Sequence, residues 1–346
     1  MHLAPSEVIG YVLDSPMVTT GVNNYFKEKD LIDNEVATTF MKRCDHDRVC
    51  SSHFKAPDTL IAAYQDILTA LDNQPDSACF EIINTMNVTK SKWPASFKLR
   101  RFFSSLLTNP ILYMTIPQFV YRLKRCQPHD MEVLTTFIAS VIDTGYFDSG
   151  PDEDGFEMLQ LLISFSELWG RPTPSLAELK KRFTDSVSAW GVYDNVPLYC
   201  AFSKEQSKVC DKYNFGRYKA RAITYKLDRY WNASVTIPSQ ASVLMLSSKM
   251  DTLSSHKYSR RLFKSLTSKN KELITCETGT GATLSSTSFQ LRSRSVDSCG
   301  LRIIVSYIKS DGDLAGLEKS CLDEMPTFKT IPIDFNDANF TNILRT

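Results

Sequence analysis

The chain has 346 residues, of which 42% are hydrophobic and 23% are charged, a composition typical of a globular protein rather than a disordered one. Forty basic and thirty-nine acidic residues give a net charge of +1, which argues against nucleic acid or an anionic membrane surface as a partner. The length suits one large domain or two ordinary ones.

The first predicted element is a short β-strand close to the amino terminus. An apolar run at residues 8–13 is closed by Asp14 and Pro16. A continuous apolar run of this length is typical of a parallel strand that is buried on both faces. No charged start followed by an apolar core precedes it, so we expect no signal peptide in this chain.

Residues 21–235 have mostly helical periodicity. Residues 60–71 and 158–168 space their apolar side chains as amphipathic helices do. An uncharged run at residues 102–121 reaches membrane length, but Pro110 and Pro117 would break a spanning helix, so it predicts two short buried helices. The basic residues of "FKLRR" (97–101) and "LKRCQPH" (123–129) predict a solvated face.

Beyond residue 236 the pattern changes to alternating strands and helices. "ASVLMLSS" (241–248) and "KELITCET" (271–278) predict buried strands, while "HKYSRRLFKSL" (256–266) and "VDSCGLRIIVSYIKS" (296–310) predict helices. This order is typical of a parallel α/β sheet. The opening strand belongs to the same sheet, which then has three strands with the helical region inserted between the first and the second.

Several segments resemble one family of capped α/β-hydrolases. "VLMLSSKMDTLSSHKYSRRLFKSL" (243–266) resembles the strand, turn aspartate and helix of tripeptidyl-aminopeptidase-like and proline-iminopeptidase-like serine hydrolases. "SCGLRIIVSYIKSDGDLAGLEKSC" (298–321) is similar to the end of their tripeptidyl-aminopeptidase-like C-terminal domain, and "GYVLDS" (10–15) to the strand after the nucleophile elbow. "IPQFVYRLKRC" (116–126) and "LYCAFSKEQSKVC" (198–210) are similar to cap segments of the secreted branch.

The resemblance covers nearly the whole chain and implies a domain organisation. It implies the C-terminal portion of an α/β-hydrolase fold, with three parallel strands retained and a large helical cap insertion. Residues 1–20 would be a residual core strand, 21–235 the helical cap, 236–330 the tripeptidyl-aminopeptidase-like part of the core, and 331–346 a tail. The family's earlier strands and its catalytic serine would lie upstream of this chain.

The resemblance also implies a secreted serine exopeptidase acting on peptides without a cofactor or a metal. Such an enzyme needs a serine on a strained turn, a histidine and an acid. Asp251 matches the position of the acid, but Gly281 and Ala282 occupy the position of the histidine, and no Gly-x-Ser-x-Gly occurs in these residues. We therefore expect no hydrolysis by this mechanism. The alternatives are a binding protein that holds a peptide or small molecule in its cap groove, and a decayed gene fragment.

Nine cysteines and three N-x-[ST] sequons, at Asn87, Asn232 and Asn339, favour an oxidising, secretory compartment. There we expect the disulfides Cys44–Cys50, Cys200–Cys210, Cys299–Cys321 and Cys79–Cys126, with Cys276 as a buried free thiol. "CDHDRVCSSH" (44–53) also raises the alternative of a zinc site. Its cysteine spacing is wider than that of a zinc knuckle, which favours the disulfide.

The opening strand raises an expectation about association. In the family's sheet one edge of this strand is paired with an upstream strand. Unpaired backbone groups along a strand edge are a template for pairing with another chain. We therefore expect the isolated chain to self-associate through this edge.

Overall fold

The computed structural model describes residues 1–17, 25–54, 58–74, 78–86, 93–143, 156–215, 219–288, 297–326, 328, 330 and 337–341. The strands are β1 (Gly10–Asp14), β2 (Ser242–Ser248) and β3 (Lys271–Cys276). The helices in chain order are α1 (Tyr25–His46), α2 (Arg48–Ser51), α3 (Leu60–Asn73), α4 (Ala78–Thr85), α5 (Ala95–Thr108), α6 (Ile116–Arg125), α7 (Pro128–Asp143), α8 (Phe156–Ile163), α9 (Leu176–Asp185), α10 (Val196–Ser203), α11 (His256–Ser265), α12 (Thr283–Ser286), α13 (Cys299–Lys309) and α14 (Asp337–Thr341).

The three strands form one parallel sheet in the order β1-β2-β3. Asp14 lies opposite Leu246, and Ser248 lies opposite Cys276, so the carboxyl ends of the three strands lie at a common edge of the sheet. Every residue of the central strand β2 is buried, which fits the apolar run at residues 243–246 in its centre. The predicted α/β class and three-stranded parallel sheet are confirmed for the described residues.

Helices α11 and α13 pack against opposite faces of this sheet. Leu244 and Leu246 share a hydrophobic cluster with Ile303 of α13. The intervening residues Val243 and Met245 cluster with side chains at the end of α11. Successive side chains of a strand point to opposite faces, so each of the two helices packs against one face of β2.

Strand β1 differs from the sequence prediction in its burial. Val12 is 37% exposed and Ile9, just before the strand, is 48% exposed, so the prediction of a fully buried strand is wrong. The physical reason is its position at the end of the sheet, because among the described residues β1 pairs only with β2. Self-association through the other edge stays a prediction.

The chain divides into two compact units. The sheet unit comprises Met1–Tyr25 and Lys226–Lys329, and the helical unit comprises Phe26–Tyr225 and Thr330–Thr346. The segment 331–346, predicted as a tail, contributes α14 to the helical unit. There the ring of Phe340 stacks on that of Phe137 with centroids 4.4 Å apart, and Asp337 forms an ion pair with Arg122.

The uncharged run at residues 102–121 forms the end of α5, a 3-10 turn (Leu112–Thr115) and most of α6. Both helices are buried, as predicted, and Phe102 and Phe119 contact each other with ring centroids 5.5 Å apart. Within the described residues, no helix is both long enough and apolar enough to cross a bilayer.

The prediction of a solvated basic face is wrong for Arg100 on α5, which is 8% exposed. Arg122 on α6, which lies just before the second of the two predicted segments, is also buried, with 6% of it exposed. Arg122 is buried because Asp130 accepts a hydrogen bond from it at 3.1 Å and Asp337 also pairs with it. The neighbouring side chains of Lys124 and Arg125 are more than a third exposed, as predicted.

Three of the four predicted disulfides are confirmed, namely Cys44–Cys50, Cys200–Cys210 and Cys299–Cys321. Cys276 is a buried free thiol, also as predicted. Cys126 is disulfide-bonded, but the side chain of Cys79 lies outside the described residues, so that pairing stays a prediction.

Candidate functional site

The carboxyl ends of the three strands form the candidate site of the sheet unit. In a parallel α/β sheet, ligands bind outside the carboxyl ends of the strands. Asp14 and Ser15 close β1, Lys249 to Asp251 follow β2, and the segment 277–282 follows β3. The loops are held together here, since the Lys249 amide donates to the Cys276 carbonyl at 2.9 Å.

Asp251 lies where the resemblance places the triad acid, and it is 1% exposed. Its Oδ1 accepts hydrogen bonds from the backbone amides of Leu253 and Ser254, both at 2.8 Å. An aspartate that binds the amides two and three residues ahead closes its own turn. This carboxylate oxygen therefore has a structural role in the turn between β2 and α11.

The loop after β3 contains glycines where the resemblance expects a histidine. Gly279 and Gly281 have φ angles of 106° and 67°, in the left-handed region that disfavours other residues. The Gly281 carbonyl accepts a hydrogen bond from the Ser15 hydroxyl at 2.8 Å, and the Gly279 carbonyl accepts one from Ser248 at 2.6 Å. The loop is thus tied to β1 and β2 through its backbone.

Asp14 also joins the end of β1 to the segment that follows the loop after β3. Its Oδ1 accepts from the amide and the hydroxyl of Thr283, both at 2.9 Å, and its Oδ2 accepts from the Leu284 amide at 2.9 Å. These are donors of the first turn of α12, so Asp14 serves as a cap supplied by a distant strand. We did not predict this role from "GYVLDS"; an aspartate at the carboxyl end of a strand was the available signal.

Two other reactive groups of the sheet unit are Cys276 at the end of β3 and His256 on α11. Burial, and then the charges of Asp14 and Glu277, raise the pKa of the Cys276 thiol to about 11, so the reactive thiolate is scarce at neutral pH. His256 is the first residue of α11 rather than part of the loop after β3. The edge as described is a hydrogen-bonded structural assembly.

The helical unit contains a cavity of about 390 Å³ beside the disulfide Cys200–Cys210. It is lined by Cys200, Lys204, Glu205, Gln206, Cys210, Asp211, Tyr213, Asn214 and Phe215. The rings of Tyr213 and Phe215 stack with centroids 5.8 Å apart, and Phe215 is 44% exposed. The sequence prediction of a ligand in the cap groove did not single out these residues.

Glu205 is a charged group of that cavity that several side chains hold in place. Burial acts to raise the pKa of Glu205, but hydrogen bonds from Tyr199, Ser207 and Thr173 outweigh it and hold the pKa below its usual value. The Tyr199 hydroxyl donates at 2.8 Å and the Thr173 hydroxyl at 3.0 Å. The carboxylate is therefore ionised at neutral pH.

The remaining candidate sites are groups of metal-ligand residues and the three glycosylation sequons. Across the part of the chain that the structure describes, no three potential ligand residues are grouped to hold a metal ion. Asn232 is exposed in a turn with φ 61°. Asn87 and the side chain of Asn339 lie outside the described residues.

No protein-family model, curated protein or solved structure matches this chain.

Proposed function

We propose that the chain is a protein of the capped α/β-hydrolase type, similar to secreted serine exopeptidases, that does not hydrolyse peptides or esters as encoded. The observation that carries the proposal is the loop after β3. It has Gly281 where a triad histidine would stand, and the carbonyl of that glycine is bound by Ser15. Neither Gly281 nor Ala282 has a side chain that accepts a proton.

Loss of a triad residue has a large energetic cost. In serine hydrolases, the histidine accepts the proton of the attacking serine and later gives it to the leaving group. Loss of the serine or of the histidine lowers turnover by about a millionfold, which corresponds to roughly 8 kcal/mol of transition-state stabilisation. An aspartate alone, at Asp251, supplies neither the nucleophile nor the base.

The proposal is tested by hydrolysis assays on the purified chain. We expect the rates with p-nitrophenyl acetate and with aminoacyl p-nitroanilides to equal the buffer rate, for the wild-type chain and for Asp251→Asn alike. The Asn side chain preserves an oxygen that can accept from the amides of Leu253 and Ser254, so the variant is a folded control. A rate above background that one serine substitution abolishes would overturn the proposal.

A second candidate function, the binding of a ligand that carries an amine, is favoured by the cavity in the helical unit. Glu205 supplies an ionised carboxylate, and the stacked rings of Tyr213 and Phe215 supply an apolar surface. A short peptide with a free N-terminal amine and an apolar first residue combines the complementary groups. Pockets of this volume are of the size that binds small ligands.

The amine ligand is tested by calorimetric titration with Leu-Gly-Gly and its N-acetylated counterpart. We expect binding of the free peptide, and about tenfold or greater weakening when acetylation removes the positive charge. Equal binding of the two peptides, or no binding of either, would contradict this assignment without affecting the proposal on hydrolysis.

A further inference from the structure

Helix α5 carries a buried arginine whose charge has no carboxylate among its hydrogen-bond partners in the described residues. Arg100 is 8% exposed. Its Nε donates to the Ser186 carbonyl at 2.8 Å and its Nη2 donates to the Thr184 carbonyl at 3.2 Å. Its Nη1 is sealed from solvent and has no hydrogen-bond partner in the described structure.

Three buried hydroxyl groups also lack a hydrogen-bond partner in the described structure, as Arg100 Nη1 does. Tyr64, Ser96 and Ser188 are each 0% exposed, and none of their hydroxyl oxygens has a hydrogen-bond partner among the described residues. Native proteins pair nearly all buried polar atoms, so a group of four without partners requires an explanation. Each such group costs about 1–3 kcal/mol when nothing satisfies it.

The four groups belong to the same neighbourhood around α5. Ser96 lies one helical turn before Arg100 and so shares its face of the helix. Ser188 precedes Ala189, whose amide donates to the Arg100 carbonyl at 3.4 Å. The Tyr64 ring stacks on Phe103, less than one turn after Arg100, with centroids 4.4 Å apart and planes 6° apart.

The electrostatics of Tyr64 also connect it to Arg100. Burial raises the pKa of the Tyr64 hydroxyl well above its usual value, and the positive charge of Arg100 opposes that rise. The phenol is therefore protonated at neutral pH and can donate a hydrogen bond. Serine hydroxyls and guanidinium N–H groups are donors too.

The two buried carboxylates of α1 have other partners. Asp33 forms an ion pair with Lys29 and accepts from the Ser104 hydroxyl at 2.7 Å. Asp30 accepts from the backbone amides of Gly191 and Val192 at 2.8 and 3.2 Å. Neither is a hydrogen-bond partner of Arg100.

We propose that Tyr64, Ser96, Arg100 and Ser188 bind a small monovalent anion of the size and charge of chloride within the helical unit. A single buried positive charge calls for a single negative charge, because an uncompensated buried ion is costly. A water molecule can accept only two hydrogen bonds and would leave the guanidinium charge uncompensated. An anion accepts from several donors at once and compensates the charge.

The site is tested with bromide and chloride on the full chain. In crystals grown with sodium bromide, we expect an anomalous peak within hydrogen-bond distance of Arg100 Nη1 and of at least two of the three hydroxyls. In solution, the melting temperature should rise saturably as chloride replaces gluconate at constant ionic strength, because a ligand of the folded state stabilises it.

Variants separate specific binding from a general salt effect. Tyr64→Phe keeps the ring on Phe103 and Ser96→Ala keeps the helix, and each should weaken the chloride effect about tenfold. Arg100→Met should abolish it if that variant folds, whereas Lys98→Met, which removes a partly exposed cation from the same helix, should keep it. Equal melting temperatures in chloride and gluconate, an undiminished effect in Tyr64→Phe and Ser96→Ala, or ordered water without an anomalous peak would each overturn the proposal.

Discussion

Replacement of Asp33 by alanine is expected to lower the free energy of unfolding of the helical unit by about 3–5 kcal/mol. Asp33 is fully buried and forms an ion pair with Lys29, whose side chain is 6% exposed. Removal of the carboxylate leaves the ammonium group buried without its ion-pair partner, and it also removes the acceptor of the Ser104 hydroxyl. Urea unfolding of the full chain, with hydrogen exchange over α1 and α5 to assign the transition, measures the loss.

Two variants provide the controls for this prediction. Lys181 and Asp185 form an ion pair with the same four-residue spacing, but their side chains are 74% and 60% exposed. Asp185→Ala should therefore cost less than about 1 kcal/mol. The double variant Lys29→Met/Asp33→Leu removes both charges and should recover most of the stability. Equal losses for Asp33→Ala and Asp185→Ala would contradict the importance assigned to burial.

Loss of the disulfide Cys299–Cys321 is expected to destabilise the sheet unit by about 3 kcal/mol, because the bond closes a long loop in the unfolded chain. The two cysteines are 22 positions apart, and both are buried. Cys299 is the first residue of α13, which covers one face of the sheet through Ile303 and Tyr307. The double variant Cys299→Ala/Cys321→Ala, compared with wild type in urea and by hydrogen exchange over β2 and α13, measures the effect.

Cys276 supplies the matched control for the disulfide. It is buried in the same unit and carries no disulfide, so Cys276→Ala removes a buried sulfur without changing the connectivity of the chain. We expect a clearly smaller loss for Cys276→Ala than for the double variant. Equal midpoints for the double variant and wild type would contradict the stabilising role of the bond.

The strands and disulfides could be predicted because their determinants are local. Strand β2 contains a continuous apolar run at residues 243–246, and such a run fits a strand covered on both faces. Cys44 and Cys50 are six positions apart, and Cys200 and Cys210 are ten positions apart, so their closeness along the chain by itself favours a local pairing. In the same way, the two prolines indicated a break in the run, and Pro110 lies between α5 and α6 while Pro117 lies in the first turn of α6.

Burial and hydrogen-bond partners could not be predicted from local sequence. The apolar run of β1 indicated a strand buried on both faces, but its exposure depends on the number of neighbouring strands. The basic residues of "FKLRR" indicated a solvated face, yet Arg100 is buried because the carbonyls of Thr184 and Ser186, far along the chain, accept hydrogen bonds from it. The role of Asp251 also required the structure, since a turn aspartate and a triad acid have the same sequence pattern.

Fluorophosphonate labelling is the most direct test of the proposal that the carboxyl edge of the sheet is not a working serine-hydrolase centre. The purified chain is incubated with an excess of the probe beside an active serine hydrolase as a positive control, and intact masses are measured over time. We predict that the mass of this chain stays unchanged while the control gains one adduct. A single adduct that mutation of one serine abolishes would contradict the claim.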